Sequence, residues 1–211
     1  MQPQVETTTP TATVTNSAPY FQWGRKDPFK GMGTVGSNSN YGAQSLAHQN
    51  PTRFYNPTSS GTYNWTIDKY NYFWDVDNTG FSTDSPVVKT IYDPCPAGWN
   101  VPQYNTFTGF TKTGSYETTS SKFNVIGSFD KGWKFKRNAA DATGLHFPAA
   151  GDRDSSSASI SDVTSYGYWW LSIPSSSTYG HYLNFLSGRV NPQDFNYRSY
   201  GYCVWPALSQ N

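Results

Sequence analysis

The sequence predicts one domain of short strands and long loops, and three features of its composition lead to this prediction. Aromatic residues make up 18% of the 211 residues, whereas leucine, isoleucine and valine are scarce, so rings must build the core. The 18 glycines and 14 prolines, with many serines, threonines and asparagines, favour strands and turns over helices. A net charge of +1 and a charged fraction of 14% distinguish the chain from a disordered one.

The same composition excludes several classes of protein. No apolar run approaches the ~20 residues that a membrane helix needs, so we expect no membrane insertion by this chain. Because the net charge is close to zero and no Lys/Arg cluster occurs, we expect no nucleic-acid partner. Leu, Ala, Glu and Lys are too rare for a helical bundle. The composition instead favours an extracellular or particle-surface domain.

The N-terminal part divides into a lead and the start of the domain. Residues 1–19 are rich in Thr and Pro, contain no aromatic residue, and are predicted to form a flexible lead or linker. Aromatic sequence starts at Tyr20, which we take as the beginning of a domain that covers residues 20–211. Residues 32–61 are polar and loop-like, and the aromatic residues 64–74 predict a strand.

Residues 75–80 (DVDNTG) resemble a calcium loop but are predicted to form an ordinary turn. The spacing of an EF-hand would require an acidic residue where Pro86 stands. Residues 91–102 place three prolines and a glycine around Cys95 and Trp99, which predicts a rigid turn with a buried Trp99. Since no Cys/His cluster occurs either, no metal site is expected.

The middle of the chain predicts short elements only. A short helix is expected after Pro102, two strands are expected within residues 123–135, and a short buried strand is expected from Leu145.

Residues 166–205 are the most informative part of the sequence. This stretch of 40 residues contains 12 aromatic residues but only three charged ones, Arg189, Asp194 and Arg198. Half of it is Tyr, Ser, Gly or Asn, the composition of antibody binding loops, in which rigid rings supply contact area and small polar residues supply adaptable hydrogen bonds. Twelve rings exceed what one segment can bury in a core, so we expect some of them to be displayed.

Two sets of motifs resemble known proteins. The first set is Cys95-Pro96-x-Gly98-Trp99-x-Val101-Pro102, Phe147-Pro148-Ala149-Ala150-Gly151 and Trp170-x-Ser172-x-Pro174. The second set is Tyr182-Leu183-x-Phe185, Val190-Asn191-Pro192 and Arg198-Ser199-x-Gly201-x-x-Val204-x-Pro206. The first set resembles bacterial surface domains of C-type-lectin-like fold, and the second resembles the variable region of diversity-generating retroelement target proteins. The resemblance covers residues 20–208.

The resemblance implies an α+β, C-type-lectin-like fold with small antiparallel sheets, two short helices and long ordered loops. In this family an error-prone reverse transcriptase rewrites adenines in the gene's last segment, so that asparagine codons come to encode other residues. The variable region would be residues 166–206, and Arg198 is expected to bind loop carbonyls rather than ligand. The ligand-binding residues would be Trp169, Leu171, Ile173, Ser175, Tyr179, His181, Leu186, Arg189, Phe195, Tyr197 and Tyr200.

The function implied is that of a diversified receptor or adhesin on a bacterial cell surface or a phage particle. It would bind a protein or glycan on a cell or virus surface, and no cofactor is expected. The alternative is a non-diversified carbohydrate-binding adhesin of the same fold, in which rings such as Trp169 and Tyr197 stack on sugars.

Catalysis is not expected. The related formylglycine-generating enzymes share the fold and oxidise a cysteine substrate with paired reactive thiols, whereas here only Cys203 is close to the C-terminal site. Cys95 and Cys203 allow either one disulfide or two free thiols, and the residues leave both possibilities open.

Overall fold

Short strands make up most of the regular structure, and three longer strands near the C-terminus dominate it. A computed structural model describes residues 18–38, 42–56, 64–78, 80–81 and 84–209, so most of the predicted lead, residues 1–17, lies outside the described residues. The long strands are β10 (Gly167–Pro174), β11 (Tyr179–Leu186) and β12 (Arg189–Tyr197). The shorter strands are β1 (Tyr20–Gln22), β2 (Gly36–Asn38), β3 (Arg53–Tyr55), β4 (Trp99–Asn100), β5 (Val125–Ile126), β6 (Gly132–Phe135), β7 (Leu145–Pro148), β8 (Asp152–Arg153), β9 (Ile160–Ser161), β13 (Gly201–Cys203) and β14 (Ala207–Leu208).

The main sheet joins the two ends of the described chain. Its strand order is β12-β11-β10-β13-β8-β9, and β1 pairs with β13. β11 is antiparallel to both β10 and β12, whereas β10 and β13 are parallel, with Trp169 opposite Cys203. The smaller sheets are β5-β6-β7, the pair β4–β14 and the parallel pair β2–β3. The fold is therefore a sheet-rich α+β arrangement of small sheets, as the sequence predicts.

Two aromatic clusters cover the two faces of the main sheet. Because neighbouring residues of a strand point to opposite faces, Trp169 packs with Phe147 in one cluster and Trp170 packs with Trp23 and Tyr202 in the other. The largest fully buried side chains are aromatic residues and arginines. The prediction that rings take the place of leucine in the core is confirmed.

The helices differ from the prediction in kind and in position. The one α-helix within the described residues, α1, covers Gln44–Gln49, in a region that the sequence indicates as loop. Asp68 accepts a hydrogen bond from the backbone N–H of Gln44 at 2.6 Å, so the helix start is satisfied by a residue 24 positions away. After Pro102 the chain forms only a 3-10 turn, Thr108–Phe110, and a second such turn covers Ser120–Lys122.

Residues 64–74 form no strand, so that prediction is wrong. Their indoles close the core from a loop: Trp65 and Trp74 are each at most 1% exposed. The Trp65 Nε1–H donates to the carbonyl of Trp23 at 2.6 Å, and the Trp74 Nε1–H donates to the carbonyl of Tyr92 at 3.1 Å. Because carbonyl groups of other loops accept hydrogen bonds from both indole N–H groups, the two rings can be buried although this segment is not part of a sheet.

The predictions for the middle of the chain and for the cysteines have mixed outcomes. Strands β5 and β6 lie within residues 123–135 and β7 starts at Leu145, as predicted. Trp99 is wrongly predicted as buried: it is 40% exposed on the two-stranded β4–β14 edge, opposite Leu208. Cys95 and Cys203 are free thiols buried in different clusters, so no disulfide joins them.

Candidate functional site

The hairpin β11–β12 carries most of the predicted binding residues. Tyr179 lies opposite Tyr197 at the open end of the hairpin, and Leu186 lies opposite Arg189 beside its turn. Seven residues at about 3.3 Å each separate the two ends by about 23 Å. The predicted residues on this hairpin therefore fall into an aromatic end and a turn end.

Four of the predicted residues form one surface at the open end, the aromatic patch, which consists of Tyr179, Phe195, Tyr197 and Tyr200. The Tyr179 ring lies 5.8 Å from Phe195 and 4.8 Å from Tyr197 between centroids, and Tyr197 stacks on Tyr200 at 6.4 Å. Phe195 is 54% exposed and the three tyrosines are half-buried. Half-buried Ser175 adjoins the patch, because its N–H donates to the carbonyl of Tyr179 at 2.9 Å. The rings are displayed in a fixed mutual arrangement.

Four other predicted binding residues are buried, which corrects their assignment. Trp169 is 3% exposed, Leu171 and Ile173 are fully buried, and His181 is 4% exposed. The first three lie on β10, which has a neighbouring strand on each side and a packed cluster on each face. Since alternation on such a strand brings neither set of side chains to the surface, these residues belong to the core.

His181 lies next to the aromatic patch without being displayed. Its ring is 6.2 Å from Phe195 and packs edge-to-face on Tyr104 at 4.8 Å between centroids. The Nδ1 atom is 3.2 Å from the carbonyl oxygen of Asp194. Burial lowers the pKa of His181, so the ring is neutral at pH 7 and supports Phe195 as an apolar contact.

The two predicted residues at the hairpin turn are separate from the patch. Leu186 and Arg189 are half-buried, and the carbonyl of Leu186 accepts from the Trp133 Nε1–H at 3.0 Å. An Nη2–H of Arg189 donates to Asn184 Oδ1 at 3.1 Å. These contacts hold both residues on the hairpin, where they form a second, smaller candidate surface.

Arg198 connects the open end of the hairpin to two loops, which confirms the prediction that it binds loop carbonyls. Its side chain is fully buried, and its guanidinium lies 4.2 Å from the centroid of the Trp23 ring. Burial lowers the pKa of Arg198 to about 9, so it stays protonated at neutral pH. Its four acceptors are the carbonyls of Tyr70 (2.7 Å), Ser176 (2.5 Å) and Tyr179 (3.4 Å) and Asn71 Oδ1 (3.0 Å).

Sequence reasoning missed an exposed aromatic pair beside the patch. Tyr70 and Tyr72 stack with centroids 4.9 Å apart, and they are 43% and 45% exposed. Because Arg198 binds the carbonyls of both Tyr70 and Tyr179, this pair lies next to the open end of the hairpin. The signal was the aromatic run at residues 64–74, but its interpretation as a strand assigned those rings to a sheet.

A buried carboxylate lies among the tyrosines that pack against the main sheet. Asp152 is 4% exposed, and its Oδ1 accepts from the Ser161 hydroxyl at 2.6 Å. Burial, together with the nearby carboxylates of Asp162 and Asp154, raises the pKa of Asp152 to about 7. The folded protein therefore holds a proton on this group at pH values where the unfolded chain has lost it.

We expect Asp152 to contribute a decrease in the free energy of unfolding as pH rises from about 4 to about 7, and Asp152→Asn to remove this contribution. In that interval the folded state binds more protons than the unfolded state at this residue, so each rise in pH favours unfolding. The variant should gain roughly 4 kcal/mol relative to the original protein between pH 4 and pH 8. Urea denaturation across this range measures the gain, and His146 and His181 titrate equally in both proteins. The prediction would be contradicted if the free energy of unfolding depended on pH in the same way in the original protein and in Asp152→Asn.

Reactive thiol chemistry has no support in the described residues. Burial raises the pKa of both Cys95 and Cys203 far above the usual range, so both thiols stay protonated. In the same part of the chain, no three His, Cys, Asp or Glu residues come together as metal ligands. None of the described helices has the length and apolar character needed to cross a bilayer.

Comparisons of the chain with protein family models, with curated proteins and with solved structures found no match. What the site can do is therefore inferred from its own geometry.

Proposed function

We propose that this chain is a diversified ligand-binding protein of receptor or adhesin type. Its aromatic patch binds a protein or glycan on a cell or virus surface, and the protein acts outside the cell, on a bacterial surface or a phage particle. The scaffold is of C-type-lectin-like fold, and residues 166–206 are the variable region. The single observation that carries the proposal is Phe195, a phenylalanine 54% exposed near the end of a nine-residue strand and in contact with Tyr179.

The arrangement of the patch favours binding because its rings are ordered before a ligand arrives. Each immobilised side chain costs about 0.5–1.5 kcal/mol when a flexible surface becomes ordered on binding. Here Tyr179, Phe195 and Tyr197 restrict one another through ring contacts on paired strands. Tyrosine combines a large contact area with a hydroxyl that reaches polar groups, which suits both proteins and sugars.

Diversification can change ligand binding directly only at those predicted residues that are accessible to a ligand. Substitution at a buried position such as Leu171 would change the core, whereas substitution at Phe195 leaves the core intact. The proposed binding residues are therefore Ser175, Tyr179, Leu186, Arg189, Phe195, Tyr197 and Tyr200. The gene neighbourhood tests diversification: it should contain a reverse transcriptase and a near-copy of the gene's last segment that differs at adenines.

We propose no enzymatic activity. The formylglycine-generating enzymes use reactive thiols, whereas both Cys95 and Cys203 are buried and protonated. The alternative function is a non-diversified carbohydrate-binding adhesin. It is favoured by the exposed stack of Tyr70 and Tyr72, which lies outside the segment that would vary and offers ring faces to a sugar.

We expect Phe195→Ala and Tyr197→Ala to reduce ligand binding at least tenfold, and Phe195→Ala to leave the thermal stability nearly unchanged. Truncating a central aromatic contact residue removes binding energy of about 2 kcal/mol or more, whereas the exposed Phe195 ring contributes little to the fold. Tyr197 is half-buried, so its truncation also lowers stability. The measurement is binding of the purified chain to arrays of glycans and cell-surface proteins, followed by titration of each captured probe.

Tyr116→Ala is the matched control for these variants. Tyr116 is 52% exposed, but its neighbour Glu117 pairs with Val190 at the other end of the hairpin. The control should bind like the original protein. Equal binding by Phe195→Ala and the original protein, or capture of no probe at all, would contradict the proposed function. Capture of glycans alone, lost in Tyr72→Ala, would favour the alternative.

A further inference from the structure

The turn at residues 75–78 contains two buried oxygen atoms that accept no hydrogen bond from any described group of the protein. Asp75 is fully buried and Asn78 is 2% exposed. Among the described residues, Asp75 Oδ2 and Asn78 Oδ1 have no hydrogen-bond partner. Both atoms belong to a turn of four residues, closed by the Asn78 N–H that donates to the carbonyl of Asp75 at 3.2 Å.

All other polar atoms of these two side chains are engaged. Asp75 Oδ1 accepts from the backbone N–H of Val88 at 3.0 Å and of Asp77 at 3.3 Å, which holds the carboxylate over the turn. The Asn78 Nδ2–H donates to the carbonyl of Asn71 at 3.2 Å. The hydrogen bonds of Asp75 Oδ1 and Asn78 Nδ2 therefore fix the orientation of the two side chains. The remaining atoms, Asp75 Oδ2 and Asn78 Oδ1, can both donate an electron pair to a cation.

Within the described part of the chain no cationic side chain compensates the charge of Asp75. It takes part in none of the ion pairs, and Lys89, which faces it across a β-bridge, donates instead to carbonyls such as those of Pro96 and Trp99. A buried carboxylate oxygen without a donor or a cation is destabilising. A bound cation, or a proton on the carboxylate, would remove this cost, and no described side chain supplies the positive charge.

We propose that this turn binds Ca²⁺ through Asp75 Oδ2 and Asn78 Oδ1. Carboxylate and amide oxygens are the ligands that Ca²⁺ prefers, and the ion accepts an irregular set that water completes. Exposed Asp77 adds a second carboxylate in the same turn. Mg²⁺ fits less well, since it demands a near-ideal octahedron. The site is a local turn site, which is why the EF-hand spacing in the sequence does not describe it.

The ion would order the loop that carries the exposed aromatic pair. Asn78 holds the carbonyl of Asn71, and Asn71 Oδ1 accepts from Arg198, which also binds the carbonyl of Tyr179. The proposed site is thus three contacts away from the aromatic patch. Its existence does not depend on the proposed function.

The test uses the full chain, stripped with a chelator, and Ca²⁺ alone as the probe. We expect one site by calorimetry with a Kd of about 0.1–1 mM, the range of extracellular calcium modules. At 10 mM Ca²⁺ and a Kd near 0.1 mM, the melting temperature should rise by about 5–10 °C. Tb³⁺ should give luminescence sensitised by Trp74, and Ca²⁺ should displace it at lower concentrations than Mg²⁺ does.

Asp75→Asn is the decisive variant, because it keeps the shape and the Oδ1 acceptor but removes the charge. It should lose the Ca²⁺-dependent rise in melting temperature, whereas Asp130→Asn, at an exposed carboxylate elsewhere, should keep it. If Asp75→Asn does not fold, Tb³⁺ luminescence and its displacement by Ca²⁺ in the original chain decide the question. No calcium heat and an unchanged melting temperature, or an equal response in Asp75→Asn, would overturn the site in favour of a proton or a water molecule.

Discussion

Arg198→Ala should lower the free energy of unfolding by about 4 kcal/mol, a large part of the 5–15 kcal/mol that stabilises an ordinary domain. The guanidinium is fully buried and binds four acceptors, three of them backbone carbonyls. Removing it leaves the carbonyls of Tyr70 and Ser176 and the Asn71 Oδ1 atom without this donor, and each costs about 1–3 kcal/mol unless water enters. The Tyr179 carbonyl keeps the hydrogen bond from the Ser175 N–H. The contact with the Trp23 ring, 4.2 Å from the guanidinium carbon, is lost as well.

The measurement is urea denaturation, with Arg198→Lys and Arg137→Ala as companion variants. Lysine keeps the charge, but one ammonium cannot reproduce a planar group that bridges three segments, so Arg198→Lys should lose nearly as much stability. The Arg137 side chain is 62% exposed and pairs with the buried carboxylate of Asp141, which also accepts from the backbone N–H groups of Thr143 and Gly144. Because Asp141 keeps these donors, Arg137→Ala should cost less stability than Arg198→Ala. A loss below 1 kcal/mol in Arg198→Ala would show that Arg198 does not hold the loops together.

Gly151→Ala should cost roughly 4 kcal/mol, because position 151 tolerates neither the backbone conformation nor the volume of an alanine. The backbone has a φ of +69°, in the left-handed region that disfavours a side chain. An added Cβ would lie 2.1 Å from the carbonyl oxygen of Ser161 and 2.6 Å from the nitrogen of Val163. Both contacts are backbone atoms, so the β8–β9 region and its pairing with Gly167 must shift.

Gly127→Ala separates the two causes in the same experiment. Gly127 has a φ of +73°, but an added Cβ there meets nothing within 4 Å. This variant carries the conformational cost alone, about 1 kcal/mol, and the difference between the two variants reports the steric cost. Thermal and urea denaturation both measure it. Equal losses of stability in the two variants would mean that the residues around Gly151 can move to accommodate the Cβ atom without a loss of free energy.

Some elements of the fold could be predicted because their signal is local. The abundance of rings and the scarcity of leucine predicted an aromatic core, and Trp23, Trp65 and Trp170 form it. The short strands β5, β6 and β7 follow from runs of apolar residues bounded by turns. The segment 166–205 was identified by composition, and it forms the three long strands of the main sheet.

Other elements could not be predicted because a distant residue determines them. Helix α1 has no capping residue of its own and starts where Asp68 accepts from Gln44. The rings of residues 64–74 have a composition typical of a strand, yet carbonyls of other loops satisfy their indoles. Trp99 is in a proline-rich turn that predicts burial, but it lies on the two-stranded β4–β14 sheet and is 40% exposed.

Composition alone predicts that this protein folds around rings and concentrates them in its C-terminal segment. Which of those rings face the solvent depends on how the strands pack in the folded chain. Trp169 and Phe195 lie in the same segment and look alike in composition, but one is 3% and the other 54% exposed. Exposure depends on what packs against the face of each strand. β10 has a packed cluster on both faces, whereas Phe195, on the edge strand β12, belongs to neither cluster.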